Sequence, residues 1–272
     1  MPSEQRVRAW RPAIPGVAEV FHARFVDHAY PVHTHDTWTL LIVDDGAIRY
    51  DLDRHSHGTV GADVTLLPPH VPHDGRAATR QGFRKRVLYL DTTVLGEELV
   101  GAAASGPSVR DPVLRQRIHQ LHATLAEPTE CLEGESRLAL VRERLVTHLR
   151  PGAAPVAGGS ARLARRLRSL LDERIVPGLS LAQASAELGA HPVHLVRSFT
   201  ATFGVPPHAY LTGRRIDRAR RLLLAGHPPA AVAIESGFHD QSHLTRIFRR
   251  YLGTTPARFT GINHVLNLSD PA

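Results

Sequence analysis

The sequence predicts an α+β protein of two domains, a small β-barrel with a helical hairpin followed by an all-α domain. Three observations predict this fold class. Residues 20–91 contain short β-rich runs separated by turn residues, residues 111–149 carry two apolar stripes at helical spacing, and the sequence after residue 160 is helical in pattern throughout. Strands collected in one part of a chain and helices in another are typical of α+β proteins with separate domains.

Charge is divided unequally between these two parts. The net charge is +7 for 272 residues; residues 1–160 hold 18 basic and 19 acidic side chains, and residues 161–272 hold 15 and 7. The parts therefore carry −1 and +8. A basic domain attached to a neutral one is typical of nucleic-acid-binding proteins, although a solvated basic face would give the same count. The uncharged segment 151–160, rich in Pro, Gly and Ala, predicts a flexible linker between domains 1–150 and 161–272.

Composition excludes several classes of protein. With 42% hydrophobic residues, the chain can bury two cores and is not a disordered protein. Its apolar runs are shorter than the roughly 18 residues of a membrane helix, and its first residues lack the apolar stretch of a signal peptide. We therefore expect a soluble, cytoplasmic protein without membrane partners. Cys131 is the only cysteine, which excludes an intrachain disulfide framework and a multi-thiolate zinc site.

The predicted barrel consists of short strands separated by turn residues. The β-rich runs are Trp38–Val43, Ala47–Leu52, Val60, Val64–Leu67 and Arg86–Leu90. Turns are predicted at residues 44–46, at His57–Gly58 and at Pro68–Pro69. His55 and His57 would then lie solvated in a hairpin turn. Many short strands with frequent turns favour a small barrel or jelly roll.

Two amphipathic helices follow the strands within residues 111–149. Their apolar side chains recur at helical spacing in two groups, Leu114, Ile118, Leu121 and Leu125 in the first and Leu138, Val141, Leu145 and Leu149 in the second. Each helix therefore has one apolar stripe. Such stripes either pack on the barrel or form a dimer seam, and the sequence leaves both open.

The C-terminal domain contains an internal repeat with an offset of 49 residues. The matched pairs are Leu195 and Leu244, Arg197 and Arg246, Phe199 and Phe248, Gly204 and Gly253, Pro207 and Pro256, and Tyr210 and Phe259. In the first copy, Ser180 caps a helix over Leu181–Leu188, Gly189 ends it, and Pro192 opens a second helix that Gly204 closes. This order is the helix-turn-helix plan, present twice.

A helix over residues 207–225 is predicted between the two copies. Its roughly 28 Å, at about 1.5 Å per residue, is close to the roughly 34 Å of one turn of B-DNA. The second helix of each copy could therefore enter successive major grooves on one side of a duplex. The alternative is an ordinary bundle of two helical hairpins, which would leave the outward arginines without a role.

Residues 178–260 closely resemble the paired helix-turn-helix domain of AraC-type (AraC/XylS) transcriptional regulators. The resemblance is carried by residues 181–189, residues 214–223, and residues 237–253 followed by Thr254-Thr255-Pro256. It implies a sequence-specific regulator of transcription that binds double-stranded DNA and, if it is an activator, contacts RNA polymerase. Such a protein is not an enzyme, and we expect it to act as a homodimer.

The resemblance also implies which side chains meet DNA. Base-edge readers would be Val193, Val196 and Arg197 on the first recognition helix, and Gln241, Ser242, His243 and Arg246 on the second. Arginine with guanine and glutamine with adenine are bidentate pairs worth about 1–3 kcal/mol of discrimination each, whereas valine offers only apolar contact. Asp240 would cap the second helix. Candidate phosphate contacts are Arg214, Arg215, Arg218, Arg249 and Arg250, each of which could equally face solvent.

Three histidines stand out in the N-terminal domain. His33 and His35 are separated by one residue on a predicted strand, which places them on the same face, and His73 follows the turn at Pro68–Pro69. The stretch from Phe25 to Asp91 resembles the cupin barrel that commonly serves as the effector domain of AraC-type proteins. In metal-binding cupins, the equivalents of the three histidines hold a divalent ion together with a Glu that follows the second His by three or four residues. Here Trp38 and Thr39 stand in those places.

Three interpretations of the histidines remain open. They line a ligand pocket or bond to one another without metal, they hold zinc or nickel in a structural or sensory site, or they belong to a metal-dependent cupin enzyme with an accessory DNA-binding module. We expect the first, with no required cofactor, no catalytic residues and an unknown small-molecule effector. The side chains placed near the pocket are His33, His35, Trp38, Tyr50, His73 and Tyr89.

Overall fold

The computed structural model describes residues 6–53, 55–126, 131–150 and 160–259. These residues fall into two compact units. The first comprises Met1–Thr129 and Arg137–Pro155, and the second comprises Glu130–Ser136 and Val156–Ala272. Except for Ser160, the segment 151–160 predicted as a linker lies outside the described residues.

The first unit combines an antiparallel β-structure with short and long helices. Its strands are β1 (Arg6–Trp10), β2 (Val17–Phe25), β3 (Ala29–His33), β4 (Trp38–Leu52), β5 (His55–Val60), β6 (Val64–Leu67), β7 (His73–Ala77), β8 (Phe83–Leu90) and β9 (Ser108–Val109). The helices are α1 (Val100–Ser105), α2 (Pro112–Leu125) and α3 (Cys131–Leu149), the last of which begins in the second unit. The main strand order is β1-β2-β8-β4-β6-β9, and β3, β5 and β7 pair beside it.

Strand β4 passes through a bend where the sequence predicted a chain reversal. Its first part pairs with β6 and β8, and its second part pairs with β5 and β7. The register with β8 shifts between Val43 and Asp45, and Gly46 has a φ of 75°. A Cβ at Gly46 would lie 2.1 Å from the carbonyl oxygen of Gly82, so both conformation and space require glycine. The turn predicted at residues 44–46 is therefore wrong, because this glycine allows a bulged bend within one strand.

The second predicted turn also lies inside a strand. His55, His57 and Gly58 belong to β5, where His57 is the register partner of Tyr50 and their rings stack with centroids 5.4 Å apart. Cross-strand pairing with β4 holds these residues extended, which a short-range turn signal does not reveal. The third prediction is confirmed, since the chain leaves β6 at Pro68 and turns at Pro69 and His70.

The apolar stripes of α2 and α3 pack on one face of the β-structure. Their buried members share a single core with strand residues such as Leu40, Ile42, Leu88 and Leu90, and Leu149 packs against it. The seven buried stripe residues are Leu114, Ile118, Leu121, Leu125, Leu138, Val141 and Leu145. Of the two roles that the sequence left open, the structure assigns the stripes to the core of the first unit.

The second unit is helical and contains both copies of the repeat. Its helices are α4 (Ala161–Glu173), α5 (Leu181–Leu188), α6 (Pro192–Phe203), α7 (Pro207–Leu224), α8 (Pro229–Glu235) and α9 (Gln241–Leu252). The predicted boundaries of α5 and α6 are confirmed: Ser180 forms a capping box with Gln183, and Gly189 and Gly204 end their helices with positive φ. In the described part of the chain, no helix has both the length and the apolar character needed to cross a membrane.

Asp111 ties α2 to α3. Its Oδ1 accepts hydrogen bonds from the backbone N–H groups of Val113 and Leu114 and so caps α2. Its Oδ2 accepts from Arg144 Nε and from His148 Nε2 on α3, each at 2.6 Å. Burial alone would raise the pKa of Asp111, but the hydrogen bonds from Arg144 and His148 hold it well below its usual range.

We predict that Asp111→Ala lowers the free energy of unfolding by about 2–4 kcal/mol, because it removes both a helix cap and a buried charged partner. Urea denaturation measures the change, and Asp36→Ala, at a side chain that is 95% exposed, is the control with little effect. The carboxylate stabilises the fold above its unfolded pKa of about 3.9, and that stabilisation is lost as the pH falls through the lower folded value. An Asp111→Ala midpoint equal to that of the control contradicts the prediction.

Candidate functional site

Helix α9 presents a polar face to solvent. Gln241, Ser242, Arg246 and Arg249 are exposed, and with the half-buried Thr245 they line one open hollow on the surface. The opposite side of the helix contributes Leu244 and Phe248 to the core. The N-terminal end is fixed by Asp240, whose Oδ1 accepts from the backbone N–H of His243 at 2.7 Å. Three of the predicted base readers, Gln241, Ser242 and Arg246, are thus accessible from outside, and Asp240 is the predicted cap.

His243 does not share this face. It is 8% exposed, its ring meets Phe238 edge-on with centroids 5.4 Å apart, and its Nδ1 accepts from the backbone N–H of His239 at 3.4 Å. Desolvation lowers its pKa. The prediction that His243 reads a base edge is therefore corrected: in this structure it packs inside the helix-turn-helix unit.

Helix α6 differs from α9 at the corresponding positions. Val193 and Val196 are each 1% exposed, so their side chains cannot reach a base edge in this structure, and the prediction for both is corrected. The equivalent positions on α9 are Ser242 and Thr245. Polar side chains at these sites remain at the surface, whereas burial of apolar side chains lowers the free energy of the folded protein. Arg197, the third predicted reader on α6, is half-buried.

Four of the five predicted phosphate contacts lie at the surface, and the fifth is buried. Arg249 and Arg250 are exposed, Arg214 is exposed with its Nε 3.0 Å from Asp172, and Arg218 is half-buried and donates to the carbonyl of Glu235. Arg215 is the buried one.

Arg215 is only 3% exposed, and its Nε donates to the carbonyl of Ile175 at 2.5 Å. Desolvation lowers its pKa to about 10. The prediction that it contacts phosphate is corrected, because this guanidinium holds the loop after α4 against α7. A Cβ at Gly237 would come within 2.8 Å of its Nε, so the turn of the second repeat also packs against it.

The three histidines of the first unit come together inside its β-structure. His33 ends β3 and His73 begins β7, where the two are register partners, and His35 follows β3 directly. One nitrogen from each imidazole lies within 4.8 Å of the others, and Nε2 of His33 is 3.2 Å from Nε2 of His35. The pairing of β3 with β7 therefore brings together residues that are about 40 positions apart in the sequence.

Backbone carbonyls orient two of these rings. Nδ1 of His33 donates to Pro31 O at 2.7 Å, and Nδ1 of His73 donates to Val71 O at 3.0 Å. Because a carbonyl only accepts, both rings carry their proton on Nδ1 and present the lone pair of Nε2. Desolvation, followed by the neighbouring His73 and His33, lowers the pKa of His35 to about 4, and burial also lowers the pKa of His73.

A small cavity of about 80 Å³ adjoins the cluster. Five of the six side chains predicted for the pocket line it, namely His33, His35, Tyr50, His73 and Tyr89. Trp38 does not: it is fully buried in the core beneath α2 and α3, and its Nε1 donates to Leu95 O at 2.9 Å. The correction follows from strand geometry, because neighbouring residues point to opposite faces and Thr39 is the one that lines the cavity.

Sequence reasoning missed the other lining residues, among them Tyr30, Thr39 and Lys85. Two signals were available. Phe83, Lys85, Val87 and Tyr89 alternate along β8 and all line the cavity, and Lys85 is the only lysine in the chain.

Comparison with known proteins identifies both units. The profile of the AraC-like ligand binding domain matches residues 15–141, and that of a helix-turn-helix domain matches residues 184–261. The chain belongs to the AraC-type family of transcriptional regulators. It is a DNA-binding regulator of transcription with an N-terminal ligand-binding domain. Its fold is the expected α+β arrangement, an antiparallel β-domain followed by a helical domain that contains the helix-turn-helix repeat.

Relatives of this regulator match over most of its length. The HTH-type transcriptional regulator YbfI of Bacillus subtilis is 24% identical over 237 residues, which cover 83% of this chain and 85% of YbfI. The HTH-type transcriptional activator RhaS of Klebsiella pneumoniae is 25% identical over 246 residues, which cover 86% and 88%. Among solved structures, the AraC-like transcriptional activator CuxR has 17% identity and a TM-score of 0.42, with 78% of this chain and 79% of CuxR covered.

We predict that NMR titration of ¹⁵N-labelled regulator will show His33 and His73 as Nδ1–H tautomers and a pKa near 4 for His35. The folded pKa of His35 lies below the unfolded value of about 6.5, so the unfolded chain binds the proton more tightly. The free energy of unfolding therefore decreases as the pH is lowered from about 6.5 to about 4. The variant His35→Gln assigns the signal. Titration of His35 near pH 6.5 contradicts the arrangement.

Proposed function

We propose that this regulator reads its operator mainly through α9 and that a small effector in the histidine pocket controls DNA binding. The observation that carries the first part is the contrast between the two recognition helices. Helix α9 exposes Gln241, Ser242 and Arg246, the side-chain types that form hydrogen bonds with base edges, whereas α6 buries both of its valines. Most base discrimination is therefore assigned to the half-site under α9.

The spacing of the recognition helices supports binding of both to one side of a duplex. Helix α7 lies between the two copies, and its 18 residues extend over about 27 Å at about 1.5 Å per residue. One turn of B-DNA measures about 34 Å, so α6 and α9 can occupy successive major grooves. In this arrangement α6 contributes mainly affinity, and α9 contributes affinity together with base choice.

The remaining parts of the proposal concern partners and place of action. The regulator acts in the cytoplasm as a homodimer, contacts RNA polymerase if it activates, and uses its pocket for binding and not for catalysis. The relatives support a regulatory role, since RhaS is named as a transcriptional activator. A dimer contact would use surfaces other than the stripes of α2 and α3, because these stripes are buried in the core.

A second candidate function is metal sensing by His33, His35 and His73. The specific observation in its favour is that Nδ1 of His33 and of His73 donates to a backbone carbonyl, as in most histidines that bind metal. The 3.2 Å between Nε2 of His33 and Nε2 of His35 is close to the roughly 3.3 Å edge of a zinc tetrahedron with bonds of about 2.0 Å. Zinc or nickel bound by the three nitrogens, which all lie within 4.8 Å of one another, would cross-link β3 to β7.

Three features weigh against the metal. Thr39 stands where metal-binding cupins carry a carboxylate, and the positive charge of Lys85 lies close enough to lower the pKa of His35 and of His73. His35 would also have to move its proton from Nε2 to Nδ1, since Nε2 of His33 already accepts in the hydrogen bond between them. We therefore place the organic effector first.

For DNA recognition, we predict different effects of two arginine variants. Arg246→Ala should relax base preference at one operator position, a loss of about 1–3 kcal/mol of discrimination. Arg249→Ala should weaken binding to all sequences alike and reduce the slope of log K against log salt by about 1. Selection from a random DNA library, followed by titrations at several salt concentrations, measures both effects.

The matched control is Arg80→Ala, at an exposed arginine of the first unit, which should leave base preference and salt slope unchanged. Equal and sequence-independent losses for Arg246→Ala and Arg249→Ala would contradict the assignment of α9 as the base-reading helix.

The metal candidate, if correct, predicts that the full chain retains one zinc or nickel ion after incubation with the metal and dialysis, and that His73→Ala loses it. Elemental analysis gives the stoichiometry, and His55→Ala, at an exposed histidine outside the cluster, should retain the ion. Absence of bound metal in the unsubstituted protein removes this candidate.

A further inference from the structure

Lys85 is the single lysine of this chain; the other 32 of its 33 basic residues are arginines. It lies on β8 between Phe83 and Val87, and all three line the cavity beside the histidines. Lysine differs from arginine in having a compact ammonium on a flexible stem, which fits a narrow cavity and adapts its pKa to burial. The one lysine therefore occupies the one place among the lining residues where a cation faces the cavity.

The ammonium of Lys85 has aromatic neighbours but no anionic partner. Its Nζ lies 4.2 Å from the ring centroid of Tyr30 and 5.7 and 5.9 Å from those of Phe21 and Phe83. Within the described ranges, no hydrogen bond or ion pair to Nζ is present, and desolvation alone lowers its pKa to about 8. Most molecules thus carry a charged, desolvated ammonium at pH 7, which is costly without a counter-charge.

The acidic side chain nearest to the cavity is already occupied. Asp74 lines the cavity, but its Oδ1 accepts from the backbone N–H of Asp51 at 2.7 Å, and its Oδ2 accepts from Arg76 at 3.2 Å. These bonds hold the carboxylate at the pairing of β4 with β7. Asp74 is therefore not available as a counter-charge for Lys85, and a bound anion would supply one.

Two hydroxyl groups add donors at the same cavity. Thr39 is 5% exposed, and its Oγ1 is buried without a partner in the described part of the chain. The hydroxyl of Tyr30 is likewise buried without a partner there. Buried hydroxyls of this kind are expensive unless a ligand satisfies them, and both can donate to an anionic oxygen.

We propose that the effector is a small aliphatic carboxylate, whose anionic group pairs with Lys85 and accepts hydrogen bonds from Thr39 and Tyr30. This inference rests on the proposed function of the pocket as the effector site. The walls contributed by Leu41, Ile48 and Val87 suit a short apolar chain. The cavity of about 80 Å³ is small, which favours an acid of a few carbons.

The positive charge of Lys85 favours an anion over a metal cation in this cavity. Lys85 and the three histidines line the same cavity, so the positive charge of Lys85 disfavours a metal cation there. A carboxylate next to the ammonium is attracted by that charge.

The test compares acids with their neutral amides. Acetate, propionate and butyrate, and then acetamide, propionamide and butyramide, are titrated calorimetrically into the full chain after treatment with a chelator, at constant ionic strength. We expect at least one acid to bind roughly 10-fold or more tightly than its amide, as for a charge-assisted hydrogen bond. Because the chain has a single lysine, ¹³C-lysine labelling gives one side-chain signal, which should shift with the acid.

Two variants locate the site. Lys85→Met should abolish the preference for acid over amide, and it should melt at or above the temperature of the unsubstituted protein because it removes a half-buried charge that has no anionic partner in the described residues. Thr39→Val, of the same shape without the hydroxyl, should weaken acid binding several-fold. The matched control His55→Ala lies outside the cavity and should bind the acid as the unsubstituted protein does.

Three results would overturn the proposal: none of the acids binds, the amides bind equally well, or Lys85→Met keeps the preference. Acid binding that requires added zinc and is unchanged in Lys85→Met would show that the acid binds to a metal ion instead of to Lys85. Operator affinity is measured in parallel. If an acid binds at Lys85 but operator affinity does not change, the carboxylate site is supported and effector control of DNA binding is refuted. If only a neutral ligand changes operator affinity, the carboxylate proposal is refuted and the proposed function is retained.

Discussion

Strand β4 continues through a bend at Gly46, and four other strands pair with it. Residues before the bend alternate between two interiors. Trp38, Leu40 and Ile42 face the core that α2 and α3 cover, whereas Thr39 and Leu41 line the cavity beside the histidines. One strand thus supplies a wall to the structural core and a wall to the pocket. A side chain at Gly46 would collide with Gly82 and would disturb both, which is why the ligand-binding domain depends on this glycine.

The two interiors of this domain serve opposite purposes. The helix-covered core is largely apolar, and several polar groups at it are hydrogen-bonded, as in the bond from Trp38 to Leu95 O and the four bonds to Asp111. The cavity instead collects a desolvated ammonium, buried hydroxyls and three imidazoles. Such groups lower stability in the free protein and gain partners on binding, a pattern typical of functional sites. One face of β4 contributes to the apolar core, and the other face lines the cavity.

The DNA-binding domain shows a related division after duplication. Both repeats keep the glycine turns and the aromatic side chains, such as Phe199 and Phe248, that seat the second helix. They differ at the outward positions, where α6 has valines that become buried and α9 has polar side chains that stay accessible. Arg215 is a parallel case, because a guanidinium expected at the phosphates instead binds the carbonyl of Ile175. The fold of the repeat is retained, and only one copy keeps polar, accessible side chains at these positions.

Local signals in the sequence were sufficient for the order of the domains, the ends of α5 and α6, the two apolar stripes and the grouping of His33, His35 and His73. Caps, glycine ends and apolar periodicity act over a few residues, so their meaning does not depend on distant partners. The tertiary structure decided what long-range neighbours control: that residues 44–46 bend and do not turn, that Trp38 faces the core, that Val193, Val196 and Arg215 are buried, and that Lys85 meets the cavity without an anionic partner in the described residues. Burial and pairing are properties of packed surfaces, and residues far apart in the sequence meet there only after the chain has folded.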